Sequence, residues 1–163
     1  MHLRQPAVAG RFYTDVPADL RAEVESFLKQ GAALPASALA AGDAAHLAGL
    51  MLPHAGHVYS GRVIGATLAH VRLPRTVFLL CPNHTGLGTP LSVWPAGAWQ
   101  TPLGPVPVDG EMARLLCEAD EDFSADVMGH VREHSIEVLL PFLQVCAGDA
   151  PLHVVPVCVG TGQ

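Results

Sequence analysis

The sequence predicts an α/β domain in which helices flank a largely parallel or mixed central sheet, and three observations predict it. Two short apolar runs, Leu47 to Leu52 and Thr76 to Cys81, have the length of buried strands, and each is stopped by a proline, Pro53 or Pro82. Between them, Gly61 to Val71 sets Val63, Ile64, Leu68 and Val71 on one helical face. Strand, helix, strand in that order is a βαβ unit, whose right-handed crossover makes both strands run the same way. With 163 residues the chain is the size of one domain, so residues 1–163 are expected to share a single core.

The remaining elements follow along the chain. Pro17 to Gln30 carries Leu20, Val24, Phe27 and Leu28 at helical spacing, with Pro17 at the start and Gly31 beyond the end. Ala32 to Ala45 is rich in Ala and Gly and reads as a surface connection. Leu91 to Trp94 suits a short strand, and the prolines at 102, 105 and 107 make Trp99 to Val108 an extended surface ribbon. Asp109 can cap a helix running to about Cys117 that buries Met112, Leu115 and Leu116. Another helix is expected from Glu133 or His134, with Ile136, Leu139, Leu140 and Leu143 inward and a kink or restart at Pro141. His153 to Gly160 reads as a last buried strand.

Composition excludes several classes. Half of the residues are apolar and 15% are charged, as in folded globular domains rather than disordered chains. A formal charge of -6 gives no net positive field for phosphates or anionic lipid, so neither nucleic acid nor a membrane is an expected partner. Mean hydropathy is high at +0.32, yet no apolar run approaches the ~20 residues that span a bilayer. The amino terminus lacks the apolar core of a secretory signal, and the expected compartment is the cytoplasm. Cys81, Cys117, Cys146 and Cys158 have no CxxC spacing and read as small core residues. No Gly-rich phosphate loop or GxSxG elbow is present.

Three constellations carry chemistry. In Pro53-His54-Ala55-Gly56-His57, small residues after the histidine let the chain turn away at a strand end, where ligands bind in open α/β sheets. A hydrogen-bonded loop histidine is the alternative reading of His54 taken alone. Cys81-Pro82-Asn83-His84-Thr85-Gly86 repeats the design at the second strand, so both loops are expected at one sheet edge with His54 and His84 able to converge on a metal. Asn83 can bond a ligand or satisfy the turn. Cys81 has chelate spacing to His84, but it ends a buried strand. In Glu133-His134-Ser135-Ile136-Glu137, the carboxylate of Glu137 lies one helical turn from His134, the arrangement of a general base with its orienting partner. Equally, Glu133 and Glu137 can simply complement a helix's positive end. His2, His46, His70, His130 and His153 read as structural, and Trp94 and Trp99 as covers for the sheet edge or cleft rim.

These motifs, in this order, resemble the Memo family, which includes the B component of the bacterial AmmeMemoRadiSam system. The likeness extends through Ala9-Gly10-Arg11-Phe12-Tyr13, Tyr59, Gly61, Thr101-Pro102-Leu103-Gly104 and Leu140-Pro141-Phe142-Leu143. It implies a fold similar to the class III extradiol dioxygenases, which use nonheme iron to cleave catechol rings. It further implies that His54 and His84 are metal-binding histidines and His134 a further cleft histidine, with iron or copper as the metal and zinc less favoured. Family members usually continue well past the equivalent of Gln163, with a Ser-Ser-Asp strand end and a later cysteine near the metal. The chain is therefore expected to be truncated on its carboxyl side, leaving a partner, a second chain or one of Cys81, His57 and His134 to complete the site. His57 stands where the family commonly has an aromatic residue.

Three functions are consistent with this sequence. One is a metal-dependent, oxidoreductase-like protein in which His54 and His84 hold Fe or Cu and His134, with Glu137, moves a proton. A second is a non-catalytic module whose cleft takes a small molecule, a peptide or a partner from the radical SAM system. The third is a remnant whose exposed apolar surface drives self-association.

Overall fold

A computed structural model describes residues 2–34 and 48–160. Its core is a four-stranded mixed sheet in the order β2-β7-β3-β6. Strand β2 (Thr76–Pro82) runs parallel to β7 (His153–Val159), which is antiparallel to β3 (Leu91–Val93), itself parallel to β6 (Phe123–Ala125). A smaller sheet orders β1 (Leu3–Arg4), β4 (Ala98–Thr101) and β5 (Gly104–Pro107) as β1-β4-β5. Helices α1 (Pro17–Ala32), α2 (His57–Leu68) and α4 (Leu140–Ala147) pack on one face of the main sheet, and α3 (Gly110–Ala119) covers part of the other.

Helix α1 starts on Pro17, whose fixed φ suits a first turn, and buries Leu20 and Val24. It crosses α2 closely because small residues line the contact. A Cβ on Gly65 would meet the Phe27 carbonyl oxygen at 2.5 Å, and one on Gly61 would collide with the Phe27 ring. Ile64, Leu68, Leu140, Phe142 and Val154 join this main core. A second, smaller cluster of Val93, Ala113, Val155 and Val157 lies under α3, which Asp109 caps by accepting from the Met112 N–H at 3.1 Å.

Several elements differ from the expectation. The βαβ unit is absent: residues 48–52 form no strand, Met51 is 95% exposed, and the parallel neighbour of β2 is β7. An apolar run becomes a strand only where a ladder partner is offered, and among the described residues none pairs with this one. Leu47 and most of the expected surface connection, residues 35–45, lie outside the described residues. Helix α2 begins at His57, not Gly61, and ends before Val71. Trp99 to Val108 is no surface ribbon: it forms the β4–β5 hairpin, with Trp99 fully buried beneath the Arg4 guanidinium, 4.1 Å from the ring centroid. Trp94 is buried with it rather than covering an edge. Leu115 points outward on α3. The helix expected from Glu133 starts as irregular chain and a 3-10 turn (Glu137–Leu139), and Pro141 then sits in the first turn of α4, where its missing N–H removes no helical bond. Among the described residues, no helix is long and apolar enough to cross a membrane.

Candidate metal centre

Each of the three histidines is aimed by its own local device. The His54 turn is pinned to the amino-terminal segment: the His57 N–H donates to the Phe12 carbonyl at 2.8 Å, and Gly56 leaves only 3.0 Å between a would-be Cβ and that same oxygen. The Ser60 hydroxyl donates to the Ala55 carbonyl at 2.7 Å, so α2 starts at once and the His54 ring is left beyond its end. Past β2, the Asn83 N–H donates to the Val159 carbonyl and carries the ladder one residue further. The Asn83 side chain then closes the turn, its oxygen accepting from the Thr85 and Gly86 N–H groups at 3.0 and 2.9 Å. Asn83 thus satisfies the turn. His134 is held against the edge of Phe12, with ring centroids 5.0 Å apart.

The three rings meet. Centroids lie 5.2 Å apart for His54 and His84, 5.9 Å for His54 and His134, and 4.8 Å for the stacked pair His84 and His134. One ring nitrogen from each falls within 4.8 Å of the others. Imidazole nitrogens at ~2.1 Å from one ion stand roughly 3–3.6 Å apart, so small ring rotations would bring these to coordinating distance. Burial, together with the neighbouring His84 and His54, holds the His134 pKa below its usual value despite Glu133. A neutral imidazole offers the lone pair that a metal needs. The residues present therefore fit a metal held by three imidazoles.

The carboxylate that serves this cluster is Glu133, not Glu137. Glu133 is buried and accepts from the His84 N–H at 2.7 Å, the His84 Nδ1 at 3.0 Å, the His134 N–H at 2.8 Å and the Ser135 hydroxyl at 2.8 Å. Burial alone would raise its pKa, but the hydrogen bonds from His84 and Ser135 outweigh that and hold it at about 2. Glu137, expected to orient His134, faces the other way. Its oxygens accept from Arg4 Nη1 at 2.7 Å, the Ala7 and Val8 N–H groups at 2.8 and 2.9 Å, and the Tyr13 hydroxyl at 2.8 Å. The reason is local: the segment is irregular until Glu137, so the helical spacing that would bring Glu137 onto His134 does not exist.

The other suggested ligands lie elsewhere. His57 is buried, with Nδ1 at 3.1 Å from Glu23 and Nε2 at 2.9 Å from the Val138 carbonyl, and its ring stacks on Tyr13. Cys81 lies in the core opposite Cys158, both as free thiols, and hydrogen bonding to the Cys158 thiol, with burial, pushes the Cys81 pKa well above the ordinary thiol value. It stays a thiol. His130 donates from Nε2 to the Ser92 carbonyl at 2.9 Å, and burial lowers its pKa to about 4. The network of Arg4, Tyr13 and Glu137 escapes the sequence reading because Glu137 stands more than a hundred residues from both of the others with no shared periodicity.

Fold and site together define a class: a small α/β protein whose loops gather imidazoles over one end of its main sheet. Residues 4–163 match a family model described as Memo-like protein. MEMO1 family proteins from Desulfurococcus amylolyticus and Thermotoga neapolitana are 41% and 40% identical over 98% and 96% of this chain. One from Methanopyrus kandleri is 42% identical over 96% of it. The chain belongs to the Memo family. It spans 58% of the length of the first two relatives and 56% of the third.

Proposed function

We propose that this protein binds one nonheme iron or copper ion through His54, His84 and His134 and works as an oxidoreductase-like protein on a small molecule in the histidine-lined cleft. The observation that carries this reading is the convergence of three ring nitrogens within 4.8 Å, drawn from three separate segments. Neutral imidazole suits Fe and Cu as well as Zn, and three such ligands leave coordination positions open. When bound, either metal supplies a redox-active Lewis acid. The chain's own residues set the rest: Glu133 holds the His84 ring, Phe12 walls His134, and the exposed side of His84 keeps the cleft open to solvent. The likeness to the class III extradiol dioxygenases and the association with the radical SAM system are parts of the same proposal and rest on the family.

The test is metal content by elemental mass spectrometry on purified, monodisperse protein, beside a His54→Ala, His84→Ala double variant. Near-stoichiometric iron or copper, lost in the variant, is the expected result. A folded protein that takes up no metal after incubation with Fe(II), Cu(I) or Zn(II) overturns the reading. Ligand or protein binding by that metal-free form would then favour an adaptor role for the same cleft.

A further inference from the structure

We infer that Glu133 is the positioning residue of the cluster, fixing the His84 ring so that Nδ1 carries the proton and Nε2 is the ligating atom. The inference rests on the metal reading above for its consequence, but its geometry stands in the protein alone. Glu133 is buried at 1% exposure and can only accept hydrogen bonds when ionised. Its Oε1 lies 3.0 Å and its Oε2 3.2 Å from His84 Nδ1, while Oε2 also takes the backbone N–H of the same residue at 2.7 Å. One carboxylate therefore grips His84 at backbone and ring together, which removes rotation about the side chain as well as the choice of tautomer.

A purely structural role would need less. The His134 and Ser135 N–H groups and the Ser135 hydroxyl, all bonding Oε1 at 2.8 to 3.0 Å, already account for a carboxylate that closes a local turn. The ring contact crosses 49 residues of sequence and serves no turn. His134 Nδ1 lies 3.3 Å from the same Oε1, so the second ring is held from the same point. Arg4 braces the segment from behind, donating to the Glu133 carbonyl at 2.5 Å and the His130 carbonyl at 2.8 Å, which fixes the backbone from which the carboxylate reaches. A histidine whose Nδ1–H is bound by a carboxylate presents a more basic Nε2 in a set direction, and loss of such a partner typically lowers metal affinity 10–100-fold.

The experiment has two readouts on the full chain. Long-range nitrogen–proton NMR of the metal-free wild type, at a pH where the ring is neutral, should show His84 as the Nδ1–H tautomer. In Glu133→Gln, that signature should become a mixture, and affinity for Fe(II) or Cu(I), by competition with a chelator at a temperature where the variant is shown to be folded, should fall about 10- to 100-fold, beside a lowered melting temperature because the same carboxylate closes the local turn. Glu133→Asp, which keeps the charge on a shorter arm, should recover part of the affinity. An Nε2–H tautomer at His84 in the wild type overturns the inference, even where the Gln variant fails to fold. So does Glu133→Gln with unchanged tautomer and affinity. A wild type that binds no metal yet shows the Nδ1–H tautomer defeats the functional reading and leaves the positioning role standing.

Discussion

Glu133 and Glu137 belong to one five-residue motif, yet the fold gives them unrelated partners. The histidines of that motif and of the two proline-histidine turns were legible as residues, because proline, histidine and a small residue in succession already describe a turn that presents an imidazole. Which carboxylate served them was not, since that depended on whether the chain was helical at Glu133, and Arg4 reaches its partner across 133 residues. Burial without a local signal also marks His130. Its folded pKa of about 4 lies below the ordinary histidine value, so the unfolded chain binds the proton more readily. Stability is then full above about pH 6.5 and falls as the pH drops toward 4, by on the order of 3 kcal/mol. Glu133, depressed to about 2, adds a later loss as the pH falls from about 4.5 toward 2. Urea unfolding across pH, for wild type and His130→Gln, should differ most between pH 6.5 and 4, with the variant's curve flatter there. Parallel curves would show that His130 does not titrate with folding.

At the level of elements, helical periodicity was the most readable signal: α1 and the inward face of α2 follow from the spacing of Leu20, Val24, Ile64 and Leu68, whereas α3 followed from its Asp109 cap and its buried face was misread, Ala113 lying inward and Leu115 outward. The start of α2 was misread because it is set by Phe12, a tertiary contact, and not by a capping residue. The same holds for the α1–α2 crossing, where glycines that look like weak helix positions are what lets the backbones approach. Gly65→Ala should therefore destabilise despite the better helix propensity of alanine. The new methyl would meet the Phe27 carbonyl oxygen at 2.5 Å and its carbonyl carbon at 2.6 Å, backbone atoms that cannot swing aside. Overpacking of this kind costs about 1–3 kcal/mol, against a propensity gain of at most ~1 kcal/mol. Thermal or chemical unfolding of the variant measures the net change, and a rise in stability would mean that the two helices separate without loss.

Across the whole molecule, class and layer order were legible but strand pairing was not, because an apolar run states that a segment is buried without naming its neighbour. Strand β2 found its parallel partner 77 residues away in β7, while its other edge has no partner among the described residues. Phe78 and Leu80 point from that edge strand at 47% and 70% exposure, on the sheet face that α3 covers only farther along. Val58, Tyr59 and Val63 of α2 are exposed as well. Among the described residues this edge carries no lysine, bulge or covering loop, and such an edge with apolar side chains is a template for pairing with another chain. The 163-residue chain should accordingly associate with itself as its concentration rises, seen as an increasing mass by size-exclusion chromatography with light scattering. Placing charge on the strand with Leu80→Lys and Phe78→Glu should return it to the monomer and leave its circular dichroism unchanged, because both side chains lie outside the buried core. A wild type that stays monomeric at every concentration would instead mean that the twist of β2, or the residues around its edge, already protects it.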